Sequence, residues 1–95
     1  MKLMLLRHGE AAPAAGPGLD SSRELTANGR RQVLSAAEHL RTLGSFRVLC
    51  SPYVRARQTT AQLQEAGVVR GEPLLADWLT PDEPVQAALR QLDAL

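Results

Sequence analysis

Lys2-Leu3-Met4-Leu5-Leu6-Arg7-His8-Gly9-Glu10 is the stretch of sequence from which the fold can be predicted. Residues 3–6 form an unbroken apolar run, which is typical of a strand buried on both faces in a parallel sheet. The run ends abruptly in Arg7, His8 and Gly9, so polar groups are predicted at the carboxyl end of this strand. Open α/β sheets place their ligands at such ends. Gly9 allows the backbone to turn sharply and to come close to a bound group.

A long helix is predicted after a loop at residues 11–22 that is rich in Ala, Pro, Gly and Ser. The helix is expected to run from Ala27 to Leu43, with Thr26 as its N-cap and Gly44 as its stop. Apolar side chains recur at helical spacing and form its expected buried face. These residues are Val33, Ala36, Ala37, Leu40 and Leu43.

The rest of the chain alternates strand and helix patterns. Residues 46–50 are predicted as the second strand, and Ser51 is expected to cap a helix that Gly67 closes, with Pro52 in its first turn. A short strand is predicted near residues 73–75, and a third helix follows Asp82. The expected inner side of this helix consists of Val85, Ala88, Leu89 and Leu92. This alternation predicts an α/β fold, a three-layer αβα sandwich with a mostly parallel sheet.

Composition limits the classes of function. The 95 residues amount to one small domain, residues 1–95, and the net charge of +1 gives no reason to expect nucleic acid or an anionic membrane as a partner. A single cysteine excludes an internal disulfide framework, and no run approaches the roughly 20 apolar residues of a membrane span. We therefore expect a soluble cytoplasmic protein.

A second motif, residues 51–59, repeats the order of apolar strand, sharp turn and basic residue. Arg55 and Arg57 lie in the first two turns of the predicted helix, where the macrodipole disfavours cations, and no acidic residue is nearby in sequence. An anion bound at the helix end would explain Arg55, because helix N-termini favour phosphate. Arg7 and Arg55 could then hold a phosphoryl group in bidentate fashion. The alternative is that Arg55 and Arg57 are solvated helix residues, which is the preferred interpretation of Arg57.

His8 is the candidate nucleophile of this arrangement. Neighbouring guanidinium charge would disfavour the imidazolium and keep a neutral nitrogen available for in-line attack on phosphorus. His39 is interpreted as an exposed helix residue and Cys50 as a buried strand residue. Three loop carboxylates could move protons, but the sequence selects none of them: Glu10, Asp20 and Glu24. No His/Cys cluster has metal-ligand spacing, so no cofactor is expected.

Three segments together resemble the histidine phosphatase superfamily, which includes phosphoglycerate mutases: residues 6–10, 25–29 and 51–59. Their order and spacing are most similar to the small phosphohistidine phosphatases of the SixA type. The resemblance implies that His8 is phosphorylated and that Arg7 and Arg55 bind the phosphoryl group, without a metal. Arg7, Gly9, Ser51 and Arg55 are the candidate substrate-binding residues. The implied partner is a phosphorylated signalling protein such as a histidine-phosphotransfer domain, with phosphate or another oxyanion as ligand.

The resemblance also implies a second catalytic histidine after a later strand, and residues 67–95 contain no histidine. We therefore expect an N-terminal portion of such a domain, truncated before the last strands of the sheet. Three functions remain open at this point. The first is a phosphohistidine phosphatase, the second is a phosphatase or mutase for small phosphate esters, and the third is a non-catalytic fragment that binds phosphate.

Overall fold

Three α-helices and two short strands make up the computed structural model, which describes residues 4–14 and 19–94. The helices are α1 (Ala27–Arg41), α2 (Val54–Glu65) and α3 (Val85–Asp93), and the strands are β1 (Leu49–Cys50) and β2 (Leu74–Leu75). A short 3₁₀ helix at Asp20–Ser22 precedes α1. In these two described ranges, no helix is long and apolar enough to cross a membrane.

The two strands form a parallel pair, with Leu49 opposite Leu74 and Cys50 opposite Leu75. Because α2 lies between β1 and β2 in the chain, it supplies the crossover that parallel strands require. This arrangement confirms the predicted α/β class. The ladder is shorter than the predicted strand at residues 46–50, because Phe46 pairs with Val69 only as an isolated parallel bridge.

Helix α1 begins where its cap was predicted. The Thr26 hydroxyl accepts a hydrogen bond from the Gly29 N–H at 2.9 Å, which satisfies one of the unpaired donors of the first turn. The helix ends at Arg41, before Leu43, and the chain turns at Gly44 with φ of +114°. Leu43 therefore lies outside the helix and is 56% exposed, so its predicted burial is wrong.

The core lies between α1 and α2 and is completed by the segments that flank them. Its buried members come from α1, from α2 and from the chain on either side of these helices. They are Leu25, Val33, Ala37, Leu40, Leu63 and Val68. The predicted inner face of α1 is thus confirmed at three positions, and Ala36 at its edge is half-buried.

The opening apolar run differs from the prediction. Residues 4–6 form no strand, and Leu5 is 87% exposed, so burial on both faces is wrong for them; Leu3 lies outside the described residues. A strand needs a neighbouring backbone for its ladder and a packed layer for its side chains. No strand of the described ranges pairs with residues 4–6, and therefore neither requirement is met. Within the predicted loop at residues 11–22, Ala11 bridges Leu25 in antiparallel fashion, and residues 15–18 lie outside the described residues.

Two helix predictions need correction. Helix α2 begins at Val54 with Tyr53 as its N-cap, because the Ser51 hydroxyl instead accepts from the Tyr53 N–H at 3.2 Å in a turn before the helix. Helix α3 has no fully buried residue. The predicted burial is wrong for Val85, which is 72% exposed, and for Leu89, which is 54% exposed, whereas Ala88 and Leu92 are half-buried. Among the described elements, no layer packs across this face of α3, and its apolar side chains border an open hollow.

Candidate functional site

Two glycines position the segment that carries Arg7 and His8. A Cβ atom on Gly9 would lie 2.3 Å from the Gly29 carbonyl oxygen, and one on Gly29 would lie 2.1 Å from the Glu10 carbonyl oxygen. Neither position can hold a side chain without a shift of the backbone, because real Cβ contacts are longer than 3.0 Å. The sequence predicts that Gly9 allows a sharp turn and a close approach to a bound group. The structure shows a further need for glycine, because its small size is required by backbone packing against the first turn of α1.

Glu10 ties the same segment to the N-terminus of α1. Its carbonyl oxygen accepts from the Thr26 N–H at 2.9 Å, and its carboxylate accepts from the Thr26 hydroxyl at 2.8 Å and from the Asn28 amide at 3.3 Å. A carboxylate in this place complements the positive end of the helix dipole. These contacts give Glu10 a structural task at the helix end.

His8 has its two ring nitrogens in different hydrogen bonds. Nδ1 lies 2.6 Å from the Gly9 carbonyl oxygen, and Nε2 lies 3.0 Å from Arg55 Nε. A carbonyl oxygen can only accept and a guanidinium N–H can only donate. Nδ1 therefore carries the proton and Nε2 presents its lone pair, which is the neutral tautomer with a nucleophilic nitrogen facing Arg55.

Arg55 is 7% exposed and is held on several sides. Its Nη1 donates to the Asp20 carbonyl oxygen at 2.7 Å, and its Nη2 lies 3.3 Å from the Asp20 carboxylate. The Tyr53 ring lies against the guanidinium, 4.9 Å from its carbon to the ring centroid. Arg55 is therefore not a solvated helix residue, and a carboxylate of the same chain lies beside its guanidinium.

Asp20 lies between two arginines. Arg23 Nη1 donates to Asp20 Oδ1 at 3.1 Å, and Arg55 Nη2 donates to Oδ2 at 3.3 Å. The hydrogen bond from Arg23 is the main cause that lowers the pKa of Asp20 from its ordinary value; partial desolvation opposes this shift, and Arg55 reinforces it. Asp20 is therefore held as a carboxylate at neutral pH, beside the buried guanidinium.

An open hollow of about 370 Å³ lies beside His8 and Arg55. Ser51, Tyr53 and Trp78 contribute to its wall, which continues to apolar residues of α3. Burial, followed by the charge of Asp82, raises the pKa of the Tyr53 hydroxyl. The hollow is mainly apolar with a few polar groups, among them His8 and Arg55, which is the usual composition of a ligand site.

Arg7 and Arg55 do not share this hollow. Arg7 is exposed and lines a smaller hollow of about 60 Å³ on the α1 side, and His8 borders both hollows. The two arginines thus line different hollows and do not converge on one cavity. Arg57 and His39 are exposed and Cys50 is buried, as the sequence analysis expected.

Asp20 is the site residue that sequence analysis left unselected. It lies 35 positions before Arg55, so no local pattern connects them. Two signals pointed towards it: the uncompensated cation at the start of α2, and the spacing of three residues between Asp20 and Arg23 at the end of a loop with no other charged residue.

Comparisons with known proteins show the family of the chain. Residues 3–79 match the family model of the histidine phosphatase superfamily (branch 1). A phosphohistidine phosphatase SixA homolog from Haemophilus influenzae is 33% identical over 104 residues, covering 100% of this chain and 62% of that protein. An uncharacterized protein from Picosynechococcus sp. is 35% identical over 95 residues, covering 98% of this chain and 57% of that protein.

The fold agrees as well. A solved structure of the protein histidine phosphatase SixA complexed with tungstate has a TM-score of 0.80 and 32% identity, covering 94% of this chain and 57% of that chain. The present chain thus spans roughly three fifths of the length of the relatives that it matches. The family match extends over most of its residues, including all three motifs up to residue 59. The chain belongs to the histidine phosphatase superfamily.

Proposed function

We propose that the chain carries the nucleophile of a phosphatase that removes phosphoryl groups from protein phosphohistidine. One observation carries this proposal. The His8 ring is held as the Nδ1–H tautomer by the Gly9 carbonyl oxygen, and its Nε2 lone pair faces the buried Arg55 guanidinium at 3.0 Å. A neutral imidazole with a fixed orientation and an adjacent cation is suited to attack on a phosphoryl group.

In the proposed reaction, His8 Nε2 forms a bond to phosphorus while the bond from phosphorus to the substrate nitrogen breaks. Water then hydrolyses the phosphohistidine on His8 and releases phosphate. As the Nε2 lone pair engages phosphorus, the Arg55 Nε–H is released from it and can donate to a phosphoryl oxygen. Arg7 is the second candidate for this task, and its exposed side chain would turn towards the ring to reach the same group.

The open hollow favours a protein substrate over a small phosphate ester. Its wall includes Trp78, Leu79 and Pro81, and it continues along the exposed apolar side of α3. A hollow of this kind can receive the surface around a protein-borne phosphohistidine, whereas tight specificity for a small ester needs more enclosing polar walls. A phosphatase or mutase for small phosphate esters is therefore the second candidate.

The third candidate is binding of phosphate without turnover. It follows from the absence of any histidine after His39 in the 95 residues, because the resemblance implies a second catalytic histidine. The same Arg55 and His8 geometry would support binding of an oxyanion in either case. The SixA structure matched above is a complex with tungstate, an oxyanion of this kind.

The test uses the chain with a ³²P-labelled histidine-phosphotransfer protein and, separately, with 3-phosphoglycerate. We expect release of phosphate from the histidine-phosphotransfer protein and not from 3-phosphoglycerate, together with acid-labile ³²P label on the chain. His8→Asn should abolish both signals. His39→Asn is the matched control, since His39 is the other histidine of the chain and is exposed on α1. Release from the ester alone would support the second candidate, and tungstate binding with no release from either would support the third.

A further inference from the structure

Asp20 holds Arg55 by one edge of its guanidinium. Nη1 donates to the Asp20 carbonyl oxygen at 2.7 Å and lies 3.4 Å from Oδ1, and Nη2 lies 3.3 Å from Oδ2. The two Nη atoms and the two carboxylate oxygens thus face each other as a fork, which is the bidentate geometry that guanidinium and carboxylate groups favour. This contact settles how the planar group is rotated.

In this orientation, the Nε edge of the Arg55 guanidinium faces the His8 ring. Of the five N–H groups of a guanidinium, Nε–H donates to His8 Nε2 at 3.0 Å. Both Nη1 donors and one Nη2 donor are directed at Asp20. The second N–H of Nη2 makes no hydrogen bond within residues 4–14 and 19–94. This N–H lies on the same edge of the planar guanidinium as Nε–H, so that edge can present two donors to an oxyanion at His8.

Asp20 is itself held in place by Arg23. Arg23 Nη1 donates to Asp20 Oδ1 at 3.1 Å, while Nε donates to the Ala12 carbonyl oxygen at 2.7 Å and Nη2 to the Ala11 carbonyl oxygen at 3.4 Å. These contacts connect the 3₁₀ helix to the segment that follows His8. The chain of contacts therefore runs from Arg23 through Asp20 and Arg55 to the imidazole. An exposed carboxylate can keep one orientation only if such partners limit its rotamers.

We propose that Asp20 is a positioning residue, which fixes the rotation of the Arg55 guanidinium so that its Nε edge faces His8 and the bound oxyanion. This inference rests on the proposed function, because an oxyanion at His8 is the ligand that the edge would bind. Asp20 does not touch that ligand. It acts through Arg55, by occupying the opposite pair of donors.

A competing role for Asp20 predicts the opposite change in oxyanion affinity. If the carboxylate were an internal anion that competes with the ligand for Arg55, its removal would vacate the guanidinium and tighten oxyanion binding. If Asp20 positions Arg55, its removal releases the guanidinium to rotate and weakens binding. The sign of the change therefore separates the two roles.

The experiment measures tungstate affinity by calorimetry and the ¹⁵N-resolved Nε–H resonance of Arg55 by NMR. For Asp20→Asn we expect affinity to fall about three- to tenfold, the size of one weakened hydrogen bond to a charged group, because the Asp20 carbonyl oxygen still holds Nη1. The Arg55 Nε–H signal should broaden or exchange faster. Asp20→Glu should recover part of both, and Arg23→Gln should shift both in the same direction. Asp93→Asn, at the exposed end of α3, is the matched control and should change neither.

Three results would overturn the proposal: tighter tungstate binding by Asp20→Asn, an unchanged Arg55 Nε–H signal with unchanged affinity, or wild-type protein that binds no tungstate. Failure of the proposed function has a different signature. In that case the wild-type chain releases no phosphate from the phosphohistidine protein, while the losses of affinity and of the Nε–H signal in Asp20→Asn persist.

Discussion

Replacing Gly29 by alanine should destabilise the protein even though alanine is the better helix former. Gly29 lies in the first turn of α1 and is buried. A Cβ atom there would lie 2.1 Å from the Glu10 carbonyl oxygen and 2.8 Å from the Glu10 nitrogen. Both are backbone atoms, so relief needs a shift of the whole segment and cannot come from a rotamer change. The Glu10 carbonyl oxygen would have to move to an ordinary contact of at least 3.4 Å.

The magnitude follows from three contributions. Overpacking of this kind costs about 1–3 kcal/mol, and backbone contacts belong at the upper end of that range. The displacement also stretches the 2.9 Å hydrogen bond from the Thr26 N–H to Glu10, for about 1 kcal/mol. Higher helix propensity returns about 1 kcal/mol. The net expectation is a loss of about 3 kcal/mol in the free energy of unfolding.

The assay is urea unfolding followed by far-ultraviolet circular dichroism at one protein concentration. Ser35→Ala is the matched control, because Ser35 is exposed on the same helix and its replacement should stay within about 0.5 kcal/mol of wild type. A Gly29→Ala midpoint equal to or above that of wild type would refute the reasoning. It would mean that the segment carrying His8 does not pack against α1 as closely as the structure indicates.

Three further predictions concern the site and its supports. Arg55→Ala should weaken oxyanion binding by about 1.5–3 kcal/mol, whereas Arg57→Ala should leave it unchanged because Arg57 is exposed. Equal affinities of Arg55→Ala and wild type in calorimetry would contradict the role of Arg55. Thr26→Ala removes the α1 cap and should lower the free energy of unfolding by about 1 kcal/mol, measured by the same urea titration. The folded-state pKa of Asp20 is lowered, so the Asp20 carboxylate stabilises the folded protein. This stabilisation is fully present above the ordinary carboxyl pKa of about 3.9 and is lost as the pH falls below that value. Asp20→Asn should remove this acid-dependent part of the thermal stability, and identical pH profiles would count against it.

The sequence predicted local elements well where local chemistry determines them. Thr26 caps α1 because its hydroxyl reaches a donor three residues along the same chain, and Gly67 ends α2 because it adopts a positive φ of 78°. Burial was predicted less well. The apolar runs at residues 4–6 and on α3 have the patterns of buried elements, yet burial depends on what packs against them, and no described layer does so.

For the candidate site, the sequence by itself determined the identity of the groups. Arg7-His8-Gly9 and residues 51–59 contain the candidate nucleophile and the arginines, and these residue types can be read from the sequence without coordinates. Only the tertiary structure decided the partnerships. Arg55 meets Asp20 and His8 rather than Arg7, since hydrogen bonds between segments 35 and 47 positions apart depend on how the chain folds back. Hydrogen bonds form over about 3 Å, and sequence separation carries no information about distances of that kind.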